Sequence, residues 1–500
     1  MRGTKDRSKG FLSPSRLRCR VLCIGVFLSI IPAVNAQSLN SDIAATLNAV
    51  PLARTRVSAC VVDLRDNSVV FERGANEPLI PASTMKLFAM SAALAELGPG
   101  FQFETVLATD GSNLIVIGDG DPAMGDERLC RARGESISAV MERWAAALAA
   151  RGITDIPGDL IIDETVFDDE RIHPSWELGD LGKWYAAPVG GLNFNDNCLD
   201  ITVHPGDRAG APVRVSIQPP NSLVQLTNRC TTGSGTPILH HPPGTLEYKV
   251  SGQCGKTWPF GSVAFPDPGL LFADSLRTVM AQQKITVHGS IRRARVRDGR
   301  GSLPDGLGVI ATHRTPIVDV LNRAGKNSQN LFAECLLKRT GYAYANRLGQ
   351  SDARGSFALG AKAVDEMVRR AGIDRTGLRV ADGSGLSRDN AATARQFTNL
   401  LAWAQRQPWG QVLHDSLAVA GVDGSLRKRI KDMPERIHAK TGTMTGVRAL
   451  AGYVDDARGP RYAFAILFNG YKGPSTPYKV IQDKVCRILA DAADQSEAGP

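Results

Sequence analysis

Three short clusters in this chain carry side chains that could act together on a carbonyl. In Ser83-Thr84-Met85-Lys86 a hydroxyl and an amine stand three residues apart. On a helix that spacing puts both on one face, about 5–6 Å apart. A serine hydroxyl is a poor nucleophile until a base takes its proton. A lysine can be that base if its own pKa is lowered, and a helix start and a second cation nearby would both lower it. Backbone N–H groups at the same helix start are placed to receive an oxyanion. Ser328-Gln329-Asn330 follows Gly325-Lys326-Asn327 and offers a hydroxyl for proton relay and an amide that can hold a peptide. Ser and Asn also favour helix N-caps, so capping alone would account for them. Lys440-Thr441-Gly442-Thr443 brings a cation and two hydroxyls suited to a substrate carboxylate. Its glycine lets another backbone come close, and an exposed strand edge can pair with an extended peptide. The plainer alternative is a turn-proximal strand with an exposed lysine. A second Ser-x-x-Lys, Ser425 to Lys428, precedes Arg429 and Lys431 and reads as a solvated basic loop.

The elements that must position these clusters fall into two textures. Val57 to Asp63 reads as an alternating strand, Arg65-Asp66-Asn67 as a turn and Ser68 to Phe71 as a second strand. Pro81-Ala82-Ser83 then opens a helix through about Leu97, ended by Gly98-Pro99-Gly100. At the far end, Ile437 to Met444, Val447 to Val454 and Tyr462 to Phe468 read as three strands, followed by a helix from Pro477 to Ala490. Strands from both ends can complete one sheet, with helices on its faces. Those helices are Pro316 to Arg323, Gln329 to Lys338, Ser356 to Ala371 and Ala392 to Ala404. Residues 104–306 differ. They are rich in short strands and Pro/Gly turns, with one clear helix near Ser136 to Ala150 between strands at Asn113 to Ile117 and Asp159 to Asp163. The pattern predicts a catalytic domain split between 37–103 and 307–500, with 104–306 inserted as a module of two sub-domains.

Composition narrows the class. Five hundred residues are too many for one compact domain, and 43% apolar with 22% charged residues is ordinary globular composition. The net charge of +9 is concentrated at the start, where residues 1–36 carry seven Lys or Arg and one acid. About +3 remains for the rest, by charge counting, and no basic patch interleaves with aromatics, so nucleic acid is not an expected partner. The basic stretch, the apolar run Val21 to Val34 and Val34-Asn35-Ala36 form a secretory signal peptide, residues 1–36, cleaved near Ala36. The apolar run is shorter than the ~20 residues of a spanning helix, the alternative reading. The mature chain is therefore expected to be exported, to the periplasm, with no transmembrane segment. It keeps seven cysteines, an odd number, so at least one stays free. No Cys or His spacing fits a metal set, and no metal or cofactor is expected.

The order of the three clusters is more telling than any one of them. The set matches the Ser-x-x-Lys, Ser-x-Asn and Lys-Thr-Gly motifs of penicillin-binding proteins and class A β-lactamases. The mature chain resembles the D-Ala-D-Ala carboxypeptidase/endopeptidase family of low-molecular-mass penicillin-binding proteins, the type-4 group. The likeness extends to Gly118 to Pro122, Ala187-Pro188-Val189, Leu192 to Asn197, His313 to Pro316, and Asp382-Gly383-Ser384-Gly385-Leu386-Ser387-Arg388. The separation of Ser83 from Ser328 leaves room for that family's large insert. One departure is Gln329, where an Asp is common; Ser328 and Asn330 are intact.

The resemblance implies an α+β fold, a transpeptidase/β-lactamase-like antiparallel sheet between helical layers with a large inserted β-rich module. It also implies roles. Ser83 attacks a D-Ala-D-Xaa carbonyl, Lys86 takes the proton, and the N–H groups of Ser83 and Thr443 form the oxyanion hole. Ser328, aided by Lys440, passes the proton to the leaving amine. Asn330 orients the substrate amide, and Thr441 and Thr443 hold the terminal carboxylate. The implied partners are peptidoglycan peptides and β-lactam antibiotics, which would stall as covalent adducts. Carboxypeptidase and endopeptidase action both fit. Arg388, in the Gly- and Ser-rich stretch Asp382 to Asn390, is assigned to an acidic stem-peptide side chain through a bidentate pair; a purely structural turn is the alternative. Two rival functions remain. A β-lactamase is disfavoured because no Glu-x-x-Leu-Asn lies between Asn330 and Lys440: Glu334 is followed by Leu337-Lys338. A non-catalytic wall-binding scaffold is disfavoured because every key side chain is present.

Overall fold

The strands expected at the two ends of the chain meet in one sheet. In the computed structural model, which describes residues 33–49, 55–298 and 301–495, six strands run in the order Ala418–Val419, Ile437–Met444, Val447–Asp456, Gly459–Asn469, Arg56–Asp63 and Val69–Arg73. Every neighbouring pair is antiparallel. The alternation read in Val57 to Asp63 does not translate into one wet face. Seven of the eight residues of Arg56–Asp63 are buried, because this strand lies inside the sheet and both faces are covered.

On one face, Cys60, Val62, Ala449, Ala451, Ala463 and Leu467 pack with Phe88, Phe397, Leu400 and the other apolar residues of the central helices. On the other, Val57, Leu450, Phe464 and Ile466 pack against Ile481, Val485 and Leu489 of Thr476–Gln495 and against Leu39, Ile43 and Leu47 of Ala33–Asn48. The expected leader lies outside the described residues, apart from Ala33 to Ala36, where this last helix begins. Among the described residues no helix is long and apolar enough to cross a membrane.

The segment bearing Ser83 opens as a 3-10 turn, Ala82–Met85, and continues as the α-helix Lys86–Leu97, which Gly98 ends with φ 83°. Its Ala-, Leu- and Met-rich sequence favours helix. It is buried from Lys86 to Leu94 without a polar stripe, as befits a helix surrounded by protein. Each large apolar side chain buried here, such as Phe88, contributes about 1.5–3 kcal/mol, which fixes the Ser83 turn against the sheet.

The four later helices are Ile317–Lys326, Asn330–Arg347, Phe357–Arg370 and Ala394–Gln405. The second runs nine residues past the expected Lys338. Gly341 lies inside it, where two helices touch: a Cβ there would stand 2.5 Å from the backbone nitrogen of Gly360.

The intervening region is entered and left through paired strands, Gln102–Thr109 against Gly308–Pro316. They sit at one edge of a five-stranded sheet whose order continues through Leu114–Ile117, Leu160–Asp163 and Ile291–Arg293. Leu114–Ile117 and Leu160–Asp163 are parallel, and Ala139–Ala149 lies between them in the chain. The expectation of a single clear helix is corrected. Pro268–Gln282 is longer, capped by Asp267 with Pro at its start, and it supplies Phe272, Ala273, Leu276 and Met280 to the same core. The Asp267-Pro268 start signal was in the sequence. Two small sheets, around Cys198–His204 and Glu247–Cys254, account for the turn-rich texture.

Candidate active site

The three clusters converge although Ser83, Ser328 and Lys440 come from different parts of the chain. Lys86 Nζ stands 3.2 Å from Ser83 Oγ. It also donates to Asn330 Oδ1 at 2.7 Å and to the Ser384 carbonyl at 2.8 Å. Its side chain is fully buried. As an ammonium, Lys86 donates to all three oxygens; once deprotonated, with its two hydrogens on Asn330 and Ser384, its lone pair would face the serine hydroxyl. Lys440, also fully buried, donates to Ser328 Oγ at 2.8 Å and to the Thr441 carbonyl at 3.0 Å.

Backbone shape sets these contacts. Ala82 and Ser328 both lie in the left-handed region, at φ 47° and 61°, a conformation that costs a non-glycine residue roughly 1–3 kcal/mol. Gly442 lets the strand Ile437–Met444 press on the Ser83 turn, since a Cβ there would stand 2.6 Å from the Pro81 carbonyl oxygen. Thr443 therefore follows a point of direct contact with that turn. Its hydroxyl accepts from Arg448. Thr441 donates to Ser425 Oγ at 2.9 Å. The second Ser-x-x-Lys is thus a neighbour of the site, with Lys428 exposed. The basic-loop reading needs one correction: Arg429 is buried and paired with Asp483.

Burial pushes the Lys86 ammonium down to about 7, while Glu334 and Asp382 pull it up. Burial, and then the charge of Lys86, push Lys440 well below the usual lysine range. The expected causes for Lys86, a helix start and a second cation, give way to loss of water. Glu334 itself is pushed up to about 8, by burial and then by Asp382.

Sequence reasoning missed the residues that hold Lys86 from the far side. Glu334 accepts from the Gly383 and Ser384 backbone nitrogens at 2.7 and 2.9 Å, which aims the Ser384 carbonyl at Lys86. The signal was the i, i+4 spacing of Asn330 and Glu334, which puts both on one helix face. Asp382 accepts from Trp176 Nε1 at 2.9 Å and from the Gly385 and Ser387 nitrogens at 2.8 and 2.6 Å. The Asn330 amide donates to the Tyr185 carbonyl at 2.7 Å.

Arg388 stands apart from the lysines. It donates to Glu177 Oε1 at 2.8 Å and to the Thr445 carbonyl at 2.9 Å, and its side chain is 36% exposed.

Among the described residues one group could hold a metal ion: His414, His438 and Asp455, with donor atoms within 4.8 Å of one another. The two rings stack at 3.9 Å, and His414 Nε2 already meets Asp455 Oδ2 at 2.9 Å.

Residues 39–491 match the model of the D-Ala-D-Ala carboxypeptidase 3 (S13) family. The chain belongs to this family. It is a serine-type peptidase of the S13 group with an α+β fold. It is 30% identical, over 98% of its length and 92% of the relative's, to a D-alanyl-D-alanine carboxypeptidase of Actinomadura sp. (strain R39). It is 28% identical, over 82% of its length and 84% of the relative's, to the D-alanyl-D-alanine carboxypeptidase DacB of Haemophilus influenzae. Its fold matches the crystal structure of penicillin binding protein 4 from the same organism with a TM-score of 0.73 at 24% identity, covering 90% of this chain and 99% of that one. That protein has also been solved with a β-lactam bound.

Proposed function

We propose that this S13 enzyme is an exported D-Ala-D-Ala carboxypeptidase, D,D-endopeptidase or both, acting on peptidoglycan stem peptides through an acyl-enzyme on Ser83. One observation carries the reading: a fully buried lysine 3.2 Å from a serine hydroxyl, with its other contacts made to Asn330 and Ser384. Lys86 takes the Ser83 proton as Oγ attacks the carbonyl of the D-Ala-D-Xaa bond. The N–H groups of Ser83 and Thr443 receive the oxyanion; losing one such donor costs about 2.7–4 kcal/mol. The proton passes through Ser328, beside Lys440, to the leaving amine, and water then hydrolyses the ester. Asn330 orients the substrate amide, and Thr441 and Thr443 take the terminal carboxylate.

Arg388 takes an acidic stem-peptide side chain. To do so it exchanges its bond to Glu177, an exposed carboxylate that is 60% accessible, for one to the substrate. Residues 104–306 are an inserted module within a catalytic unit formed by 37–103 and 307–500. The leader pattern of residues 1–36 directs the enzyme to the periplasm, where its partners are peptidoglycan peptides and β-lactams.

The test is release of free D-Ala from a pentapeptide stem and cleavage of a cross-linked dimer, alongside the lifetime of a labelled-penicillin adduct. Release or cleavage with a long-lived adduct supports a peptidase. Rapid turnover of the adduct without either would make the protein a β-lactamase. No adduct and no cleavage would make it a scaffold.

A further inference from the structure

The turn that carries Ser328 is held on both sides by one buried polar network, half of which comes from the intervening region. Arg323 donates through Nη1 to Asn327 Oδ1 at 3.0 Å, and its carbonyl accepts from the Gln329 nitrogen at 3.1 Å. The residues before and after Ser328 are thus both tied to Arg323. Arg323 is in turn tied to Asp126, with Nε at 2.8 Å from Oδ2 and Nη2 on the same oxygen. Asp126 is fully buried and also caps the helix Glu127–Arg133 through the Leu129 nitrogen at 2.8 Å. The Gln329 side chain donates to Asp196 Oδ2 at 2.7 Å, an oxygen that also lies 3.5 Å from Arg323 Nη2.

Asp196 is placed with care. Asn195, Asp196 and Asn197 all have positive φ, at 49°, 53° and 55°, a run that L-residues adopt only when their surroundings enforce it. Asn195 is pinned to the Cys198 carbonyl at 2.9 Å, and Asn197 to the Pro188 carbonyl at 2.8 Å and to Asn193 at 2.7 Å.

We propose that Asp126 and Asp196 are positioning residues for Ser328: through Arg323 and Gln329 they clamp the left-handed turn and so set the Ser328–Lys440 hydrogen bond. This gives the intervening region a part in proton relay, and it gives Gln329 a reason, since an amide donates to Asp196 Oδ2 and an ionised carboxylate in its place has no proton to donate. The inference rests on the relay role proposed for Ser328. Burial, and then the charge of Asp126, push Asp196 up to about 8. Asparagine at 196 keeps an acceptor oxygen for the Gln329 amide and for Arg323, and is the close mimic.

The experiment compares Asp196→Ala, Asp196→Asn and Gln329→Leu in the full-length protein, reading labelled-penicillin acylation, kcat and KM on a D-Ala-D-Ala peptide, and Tm. Asp196→Ala and Gln329→Leu should each lower acylation and kcat at least tenfold with KM within twofold, because the relay and not substrate binding is disturbed. Asp196→Asn should stay within threefold of the parent. If Asp196→Ala fails to fold, Gln329→Leu carries the same expectation. A parental rate in either folded variant overturns the inference, as does an Asp196→Asn variant as impaired as Asp196→Ala. A parental chain that forms no adduct refutes the proposed function, and the inference with it; the other failures leave that reading standing.

Discussion

A Cβ atom on Gly385 would stand 1.9 Å from the carbonyl oxygen of Ala82, the residue before Ser83. Gly385 also has φ 80°, where a side chain is strained whatever the space. The loop that presents the Ser384 carbonyl to Lys86 and the turn that presents Ser83 are therefore in backbone contact. Gly385→Ala must push them apart. We expect penicillin acylation to fall at least 100-fold, about 2.7 kcal/mol in barrier, with Tm lowered as well. Acylation within threefold of the parent would show that this contact does not hold the site.

The pH dependence follows from Lys86. With burial lowering it to about 7, the neutral amine grows as pH rises through that value. The rate constant for acylation should climb with pH and level off above about 8, falling to roughly a tenth of its plateau one unit below the pKa. A pH–rate profile from 5 to 9 checks it. A profile that is flat, or falls as pH rises through 7, would remove Lys86 as the base.

Arg388 predicts selectivity. Arg388→Ala should lower kcat/KM about 10–100-fold on a stem peptide with an acidic side chain, the range of a charge-assisted bond lost. A peptide lacking that carboxylate should be affected less than threefold. Equal losses on both would mean that the Arg388 bonds to Glu177 and Thr445 only shape the loop.

The Lys440 strand and its two successors were legible because short apolar runs are separated by the Gly446 and Gly459 turns. The pairing of Arg56–Asp63 with Gly459–Asn469 followed from strands at both ends needing a sheet. The Glu334–Ser384 contact was not legible, since it is a long-range bond between a helix face and a loop. The boundary drawn at residue 104 falls inside the strand Gln102–Thr109, because a strand crossing between two packed regions carries no turn residue to mark it. The Asp196–Gln329 bond was equally hidden: nothing local in Asn195-Asp196-Asn197 tells what its middle carboxyl will meet.

Every role proposed for the site depends on Ser83 being the acylated residue, and mass spectrometry of a penicillin adduct reads that residue out. The site holds two Ser-x-x-Lys serines within reach of the Lys440 strand; the lysine of the Ser83 motif is buried beside its serine, and that of the Ser425 motif, Lys428, is exposed. The expected result is one added penicilloyl mass on the peptide containing Ser83, lost in Ser83→Ala and retained in Ser425→Ala. An adduct on Ser425, or one that persists in Ser83→Ala, would contradict it.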